Sequence, residues 1–338
     1  MNFNRQKSIS RINDFASKGI PFLFIGNFEG DNCLVEALEN LDEQQIKFWI
    51  TGKHNYIKSE SLGFEVSLQK LPISFSQYKI AFDHVQKNIF QGNSYLTNLT
   101  CETPIGLNIS LLEVFERSDA KYKIYIKDKF VCFSPEIFVK IDKYGKISSF
   151  PMKGTIDATV PDAEQTILND KKEFYEHTTI VDLIRNDLSK IAEKVCVEKF
   201  RYIDRIQTND KQEILQVSSQ VSGLLSSDWR EKLGEFLFKI LPAGSISGAP
   251  KDKTLEIIAC AEKYTYPAKF GKLSSNRGFY TGICGVFDGE TFDSGVMIRF
   301  IEQKSEGLVF KSGGGITAKS IAEKEYEEMI QKIYVPIV

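Results

Sequence analysis

Histidine is scarce in this chain: three in 338 residues, His54, His84 and His177. A Ser-His-Asp or Cys-His mechanism would have to use one of them. None lies in the Gly-x-Ser-x-Gly setting of a nucleophile elbow. The six cysteines, Cys33, Cys101, Cys132, Cys196, Cys260 and Cys284, are widely scattered. They form no Cys-x-x-Cys pair and no cluster with histidine, which excludes the usual zinc spacings. They read as reduced thiols of a cytoplasmic protein. No run of about 18 apolar residues offers a membrane span, and Met1 to Lys7 has no leader-like apolar stretch. The formal net charge is −2, so no basic field points to nucleic acid or to an anionic membrane. No internal repeat or low-complexity segment stands out.

What is present is the composition of a globular protein, 42% hydrophobic and 26% charged, long enough to bury a large core. Residues 1–75 alternate short strand-like runs, such as Pro21–Ile25 and Lys47–Ile50, with polar turns. Residues 76–91 have helical spacing, with Tyr78, Ala81, Val85 and Ile89 on one side. Residues 121–150 read as β-hairpins and 162–192 as helical. Strands are expected at 194–206, 213–223, 279–288, 292–302 and 307–311, and helices at 228–240, 251–262 and from about 321. This order predicts an α+β fold of layered antiparallel sheets flanked by helices. Residues 1–75 are expected to form a shortened N-terminal part packed on the same fold as the main domain, 76–338.

Four features carry chemistry. Pro151-Met152-Lys153-Gly154-Thr155 sets a lysine between a φ-fixing proline and a permissive glycine, on a stiff turn at a strand end. Alone, it describes a surface turn. Glu173 and Glu176 stand at i, i+3 on one predicted helix, and Glu325 and Glu328 repeat that spacing on another. Such pairs are commonly solvated faces, but two of them facing each other suit a hard cation such as Mg²⁺. The segments Gly244-Ser245-Ile246-Ser247 and Gly313-Gly314-Gly315 read as loops whose backbone N–H groups can cradle an anion. Neither fits a nucleotide-binding pattern, and a small carboxylate fits better. Arg299, at the end of a strand, can fork onto a carboxylate, with Tyr280 on the paired strand adding a hydroxyl.

In this order, Ser134-Pro135-Glu136, Pro151 to Thr155, Asp182 to Leu188, Pro242 to Lys251, Arg277 to Gly282, Ile298-Arg299 and Gly313 to Lys332 resemble the chorismate-utilising enzyme family. The likeness runs from about residue 76 to 335, the chorismate-binding catalytic domain of that family. It implies chorismate as substrate and Mg²⁺ as cofactor, with Glu176 and Glu328 as ligands and Glu173 and Glu325 supporting them. It implies Tyr280 and Arg299 on the enolpyruvyl carboxylate, and the Gly244 to Ser247 and Gly314-Gly315 segments on the ring carboxylate. Lys153 matches the branch that makes 4-amino-4-deoxychorismate for p-aminobenzoate and folate synthesis, where the lysine is the nucleophile and Glu136 matches the general acid. Ammonia is then expected from a separate glutaminase subunit. Anthranilate or isochorismate formation, or a non-catalytic chorismate-binding subunit, are the alternatives. Three departures stand out: Gln216 where the family has histidine, Lys319-Ser320-Ile321-Ala322 where it has Asp-Ser-x-Pro, and an N-terminal part without the tryptophan-binding motif of the long forms.

Overall fold

The structure, a computed structural model, describes residues 3–57, 65–207, 213–266 and 277–336. Its elements begin with α1 (Arg5–Ser17), β1 (Phe22–Gly26), β2 (Cys33–Ala37), β3 (Ile46–Ile50), β4 (Lys53–His54), β5 (Leu68–Lys70) and α2 (Phe75–Phe90). Next come β6 (Leu96–Leu107), α3 (Leu111–Arg117), β7 (Tyr122–Ile126), β8 (Phe130–Ser134), β9 (Ile137–Ile141), β10 (Lys146–Ser149), β11 (Met152–Asp157), α4 (Ala163–Asn169) and α5 (Lys171–Ser189). Then follow β12 (Glu193–Gln207), β13 (Glu213–Leu224), α6 (Leu233–Ile240), α7 (Gly244–Ser247), β14 (Gly248–Ala249) and α8 (Lys251–Ala261). The last are β15 (Ile283–Phe287), β16 (Phe292–Val296), β17 (Phe300–Lys304), β18 (Gly307–Ile316) and α9 (Ala322–Gln331).

The strands form two antiparallel sheets. One runs β11-β13-β10-β9-β16-β15-β1-β2, with β12 on β13; the other runs β14-β6-β18-β17-β8-β7-β3-β4, with β5 on β6. The first strand shows why the layers stack. Phe22 and Phe24 face a core shared with Ile12 and Phe238 of the helices, while Leu23 and Ile25 face one shared with Phe48, Ile124 and Phe300 of the other sheet. Both faces are covered, so the strand is apolar at every position rather than alternating. A third core lies between the second sheet and α2, α3, α8 and α9. Four layers result: helices, sheet, sheet, helices. This is the α+β layering expected. Helix α2 starts where Ser74 accepts the Gln77 N–H and buries Tyr78, Ala81, Phe82, Val85 and Ile89, the face its spacing predicts.

The N-terminal residues are threaded into both sheets. β1 pairs with β15 and β3 with β7. No helix among the described residues is long and apolar enough to cross a membrane.

Three of the expected elements that differ bear on the placement of residues singled out above. The helical stretch 162–192 is two helices, because Asp170 breaks the first and caps the second by accepting the Glu173 N–H. The strand expected at 279–288 begins only at Ile283, and Tyr280 lies in the turn before it. The strand expected at 292–302 is two strands in different sheets, β16 in the first and β17 in the second. Met297-Ile298-Arg299 carries the chain across, with Arg299 at φ +55. Continuous hydrophobicity does not reveal this switch, because residues on both sides of it are buried between layers.

Candidate active site

A cavity of about 550 Å³ lies where residues of both sheets meet α5, α7 and α9. Of the residues singled out from sequence, Glu136, Lys153, Glu173, Glu176, Gly244, Ser245, Tyr280, Arg299, Gly314, Gly315, Glu325 and Glu328 all line it. Ser247 does not. Its hydroxyl is fully buried and donates back to the Ala243 carbonyl at 3.0 Å, so it closes its own helical turn and is not part of a carboxylate cradle.

Lys153 is aimed by a bulge, not by a turn at a strand end. β11 pairs Met152 with Ser218 and Thr155 with Gln216, so Lys153 and Gly154 together oppose Val217. Gly154 has φ +81, the left-handed conformation that glycine adopts without penalty. A bulge of this kind redirects a side chain, and here the Lys153 Nζ comes to 3.6 Å from Glu176 Oε2.

Glu136 sits at the entry to β9 and accepts a hydrogen bond from the Ser245 hydroxyl. Burial raises its pKa, against the opposing pull of Ser245 and of the charges on Lys153, Arg299 and Lys332. The carboxyl therefore keeps its proton to a higher pH than a free glutamate, as a general acid requires. Arg299 projects from the sheet-to-sheet crossover. Its guanidinium lies 5.1 Å from the Tyr334 ring centroid, and its Nε is buried without a partner. Tyr280 is buried, and burial holds its phenol above the ordinary range, so it remains a neutral hydroxyl.

The glycine run is strand, not loop. Gly313, Gly314 and Gly315 pair with Thr100, Leu99 and Asn98 in β6. The glycines clear space. A Cβ on Gly313 would meet the Leu99 carbonyl oxygen at 2.3 Å, whereas one on Gly314 would point at Lys332, Glu325 and Glu328 at 3.5–3.9 Å. A Cβ on Gly315 would stand 3.6 Å from Lys153 Nζ. A bare strand thus forms one wall of the cavity.

The carboxylate pairs come from facing helices, Glu173 and Glu176 on α5 and Glu325 and Glu328 on α9. Glu176 and Glu325 are buried, and Oε1 of each has no hydrogen-bond partner. Lys172 Nζ stands between them, 3.7 Å from Glu176 Oε1 and 3.5 Å from Glu325 Oε1. Burial raises the pKa of Glu173 and of Glu325. Burial also acts on Glu328, but Lys332, with Lys153 and Lys172, outweighs it and the net shift is downward. Among the described residues no group of three or more His, Cys, Asp or Glu side chains converges as a metal site. The unpartnered, buried carboxylate oxygens nonetheless match the donor set of a hard divalent cation.

Two cavity lysines were missed from sequence. Lys332 Nζ contacts Glu328 Oε1 at 2.7 Å and donates to the Gly313 carbonyl at 2.9 Å. Lys172 reaches Glu176 one turn on. Both lie at i, i+4 from a singled-out glutamate, a spacing that could have flagged them. His177 supports rather than reacts. Its Nε2 is 2.6 Å from the Ser219 hydroxyl, which also accepts the Arg201 N–H. Burial, Arg201 and Lys153 push its pKa down to about 4, so it is neutral and ties α5 to β13. Gln216 lines the cavity. Arg277 is fully buried and pairs with Glu262 at 2.6 Å. It also donates to the carbonyls of Ile246 in α7 and Asn98 in β6, so it pins the α7 wall to the second sheet.

Two stacked antiparallel sheets with helices outside are also the fold of anthranilate synthase component I and of isochorismate synthase. The crystal structure of the former from Streptococcus pneumoniae matches with a TM-score of 0.64 at 24% identity, over 79% of this chain and 58% of that one. The menaquinone-specific isochorismate synthase of Escherichia coli matches with a TM-score of 0.70 at 14% identity, over 98% and 82%. The profile described as chorismate binding enzyme matches residues 25–337, and the chain belongs to that family. A PabA-like protein of Haemophilus influenzae, itself uncharacterized, is 48% identical over 98% of this chain and 97% of its own. The chloroplastic aminodeoxychorismate synthase of Arabidopsis thaliana is 30% identical over 78% of this chain and 29% of its own length.

Proposed function

We propose that this chain is an aminodeoxychorismate synthase component I. It converts chorismate and ammonia to 4-amino-4-deoxychorismate, on the path to p-aminobenzoate and folate. The observation that carries the reading is the bulge-aimed Lys153 in one cavity with the proton-holding Glu136. Arg299 and Tyr280 bind the enolpyruvyl carboxylate, the guanidinium supplying the charge and the neutral phenol a hydroxyl. Lys153, in its unprotonated form, attacks ring carbon 2. The double bond shifts, and the carbon 4 hydroxyl leaves as water with the proton from Glu136. Ammonia then adds at carbon 4, the double bond shifts back, and the lysine amine departs. Glu176 and Glu325 would hold Mg²⁺, Glu325 taking the place expected of Glu328 because Glu328 Oε1 is paired with Lys332. Glu173 and Glu328 stand beside them, and the ion would neutralise the ring carboxylate.

Ammonia is taken to come from a separate glutaminase subunit. His177 is engaged with Ser219, and His54 is stacked on Trp49 at 5.1 Å. Neither forms the cysteine-histidine pair that a glutaminase needs.

Incubating the purified chain with chorismate, Mg²⁺ and ammonium, then identifying the product by mass and absorbance, tests the assignment. 4-Amino-4-deoxychorismate is expected. Anthranilate or isochorismate as the sole product would overturn it, and so would chorismate binding without turnover.

A further inference from the structure

The geometry points to Lys172 as a built-in counter-cation, holding the place between Glu176 and Glu325 that a divalent ion takes, and leaving it when the ion enters. The inference rests on the reading above that these carboxylates hold Mg²⁺. Two carboxylates from separate helices, each more than nine-tenths buried, repel one another unless a proton or a positive charge offsets them. Lys172 Nζ supplies such a charge, at 3.7 Å from Glu176 Oε1 and 3.5 Å from Glu325 Oε1. Both distances exceed those of a charge-assisted hydrogen bond, about 2.7–2.9 Å, and both oxygens are without a hydrogen-bond partner. The ammonium therefore balances charge without satisfying the oxygens, which remain available to a ligand that coordinates them directly.

The other lysines at the site stand elsewhere. Lys332 is hydrogen-bonded to Glu328 and to the Gly313 carbonyl. Lys153 stands on the far oxygen of Glu176. The Lys172 side chain is 44% exposed, springs from the first turn of α5, and can swing to solvent without unpacking the core. Metal binding is then an exchange of one cation for another. Lys172 lowers the affinity of the site for the ion and stabilises the α5–α9 contact while the ion is absent.

Protein stripped with EDTA and titrated calorimetrically with MgCl₂, alongside thermal unfolding of the metal-free form, tests this. Lys172→Met should bind Mg²⁺ about tenfold more tightly than the parent, because one repelling charge has gone, and should melt several degrees lower when metal-free. An unchanged or weaker Mg²⁺ affinity in Lys172→Met, with the parent binding normally, overturns the role of Lys172 and leaves the metal reading standing. Absence of Mg²⁺ binding in both proteins overturns both. If Lys172→Met does not fold, Lys172→Arg carries the test. Its guanidinium can fork onto both carboxylates, so weaker Mg²⁺ binding is expected, and an unchanged affinity overturns the proposal.

Discussion

Lys153 Nζ stands 3.6 Å from Glu176 Oε2, near enough for charge attraction and too far for a hydrogen bond. The amine is therefore oriented by the bulge in β11 rather than locked by its counter-charge. Lys153→Ala should retain the fold and chorismate binding but lose turnover by at least about a hundredfold, the scale of a lost reacting group. Single-turnover assays with intact-mass detection of a lysine adduct check it. An unchanged rate would remove the covalent step.

Glu136 provides a pH signature. Its pKa is raised by burial, so turnover that depends on its proton falls as pH rises through that value. Glu136→Gln should lower kcat by about 10²–10⁴-fold and flatten that limb of the profile. The native state also holds this proton more tightly than the unfolded chain does. Stability should therefore drop as pH rises from the ordinary glutamate value to the raised one, and Glu136→Gln should be the more stable protein above that window. Thermal melts across pH measure this.

His177 has the opposite dependence. Its pKa falls from 6.5 to about 4 on folding, so the unfolded chain takes up the proton first. Its contribution is full above pH 6.5 and is lost as pH falls toward about 4. His177→Gln, which can still hydrogen-bond to Ser219 but does not titrate, should show a shallower acid slope in denaturation midpoints between these pH values.

Gly313 and Gly314 are adjacent but should respond differently. A Cβ at 313 strikes backbone, the Leu99 carbonyl at 2.3 Å. Gly313→Ala should cost about 1–3 kcal/mol by overpacking. A Cβ at 314 has no contact closer than 3.5 Å and protrudes into the cavity. Gly314→Ala should keep its melting temperature and raise KM for chorismate. Equal melting temperatures for the two variants would contradict this account of the strand.

Arg277 and Glu262 form a buried ion pair that also gathers the Ile246 and Asn98 carbonyls. Arg277→Met leaves a buried carboxylate without its counter-charge and should cost about 3–5 kcal/mol. Glu262→Gln should be milder, because its side chain remains a hydrogen-bond acceptor. Urea denaturation of the two variants tests the ranking.

Periodicity and residue chemistry made much of this protein legible. The apolar face of α2, the i, i+3 carboxylates of α5 and α9, and the antiparallel layering all follow from local spacing, because helices and covered strands bury residues at fixed intervals. Tertiary structure alone decided where those pieces meet. A strand pattern does not say which sheet a strand joins, so the crossover at Arg299 was hidden within one apolar run. A triple glycine suggests a loop until β6 is seen alongside it, requiring that no side chain intervene. Gly244 to Ser247 read as a loop able to cradle an anion with its backbone, but it packs as the helical turn α7, which leaves Ser247 buried outside the cavity. Lys172 and Lys332 carry only the weak local mark of an i, i+4 spacing from a glutamate. Their role comes from the electrostatics of buried carboxylates, which arise only when two distant helices close over the same cavity.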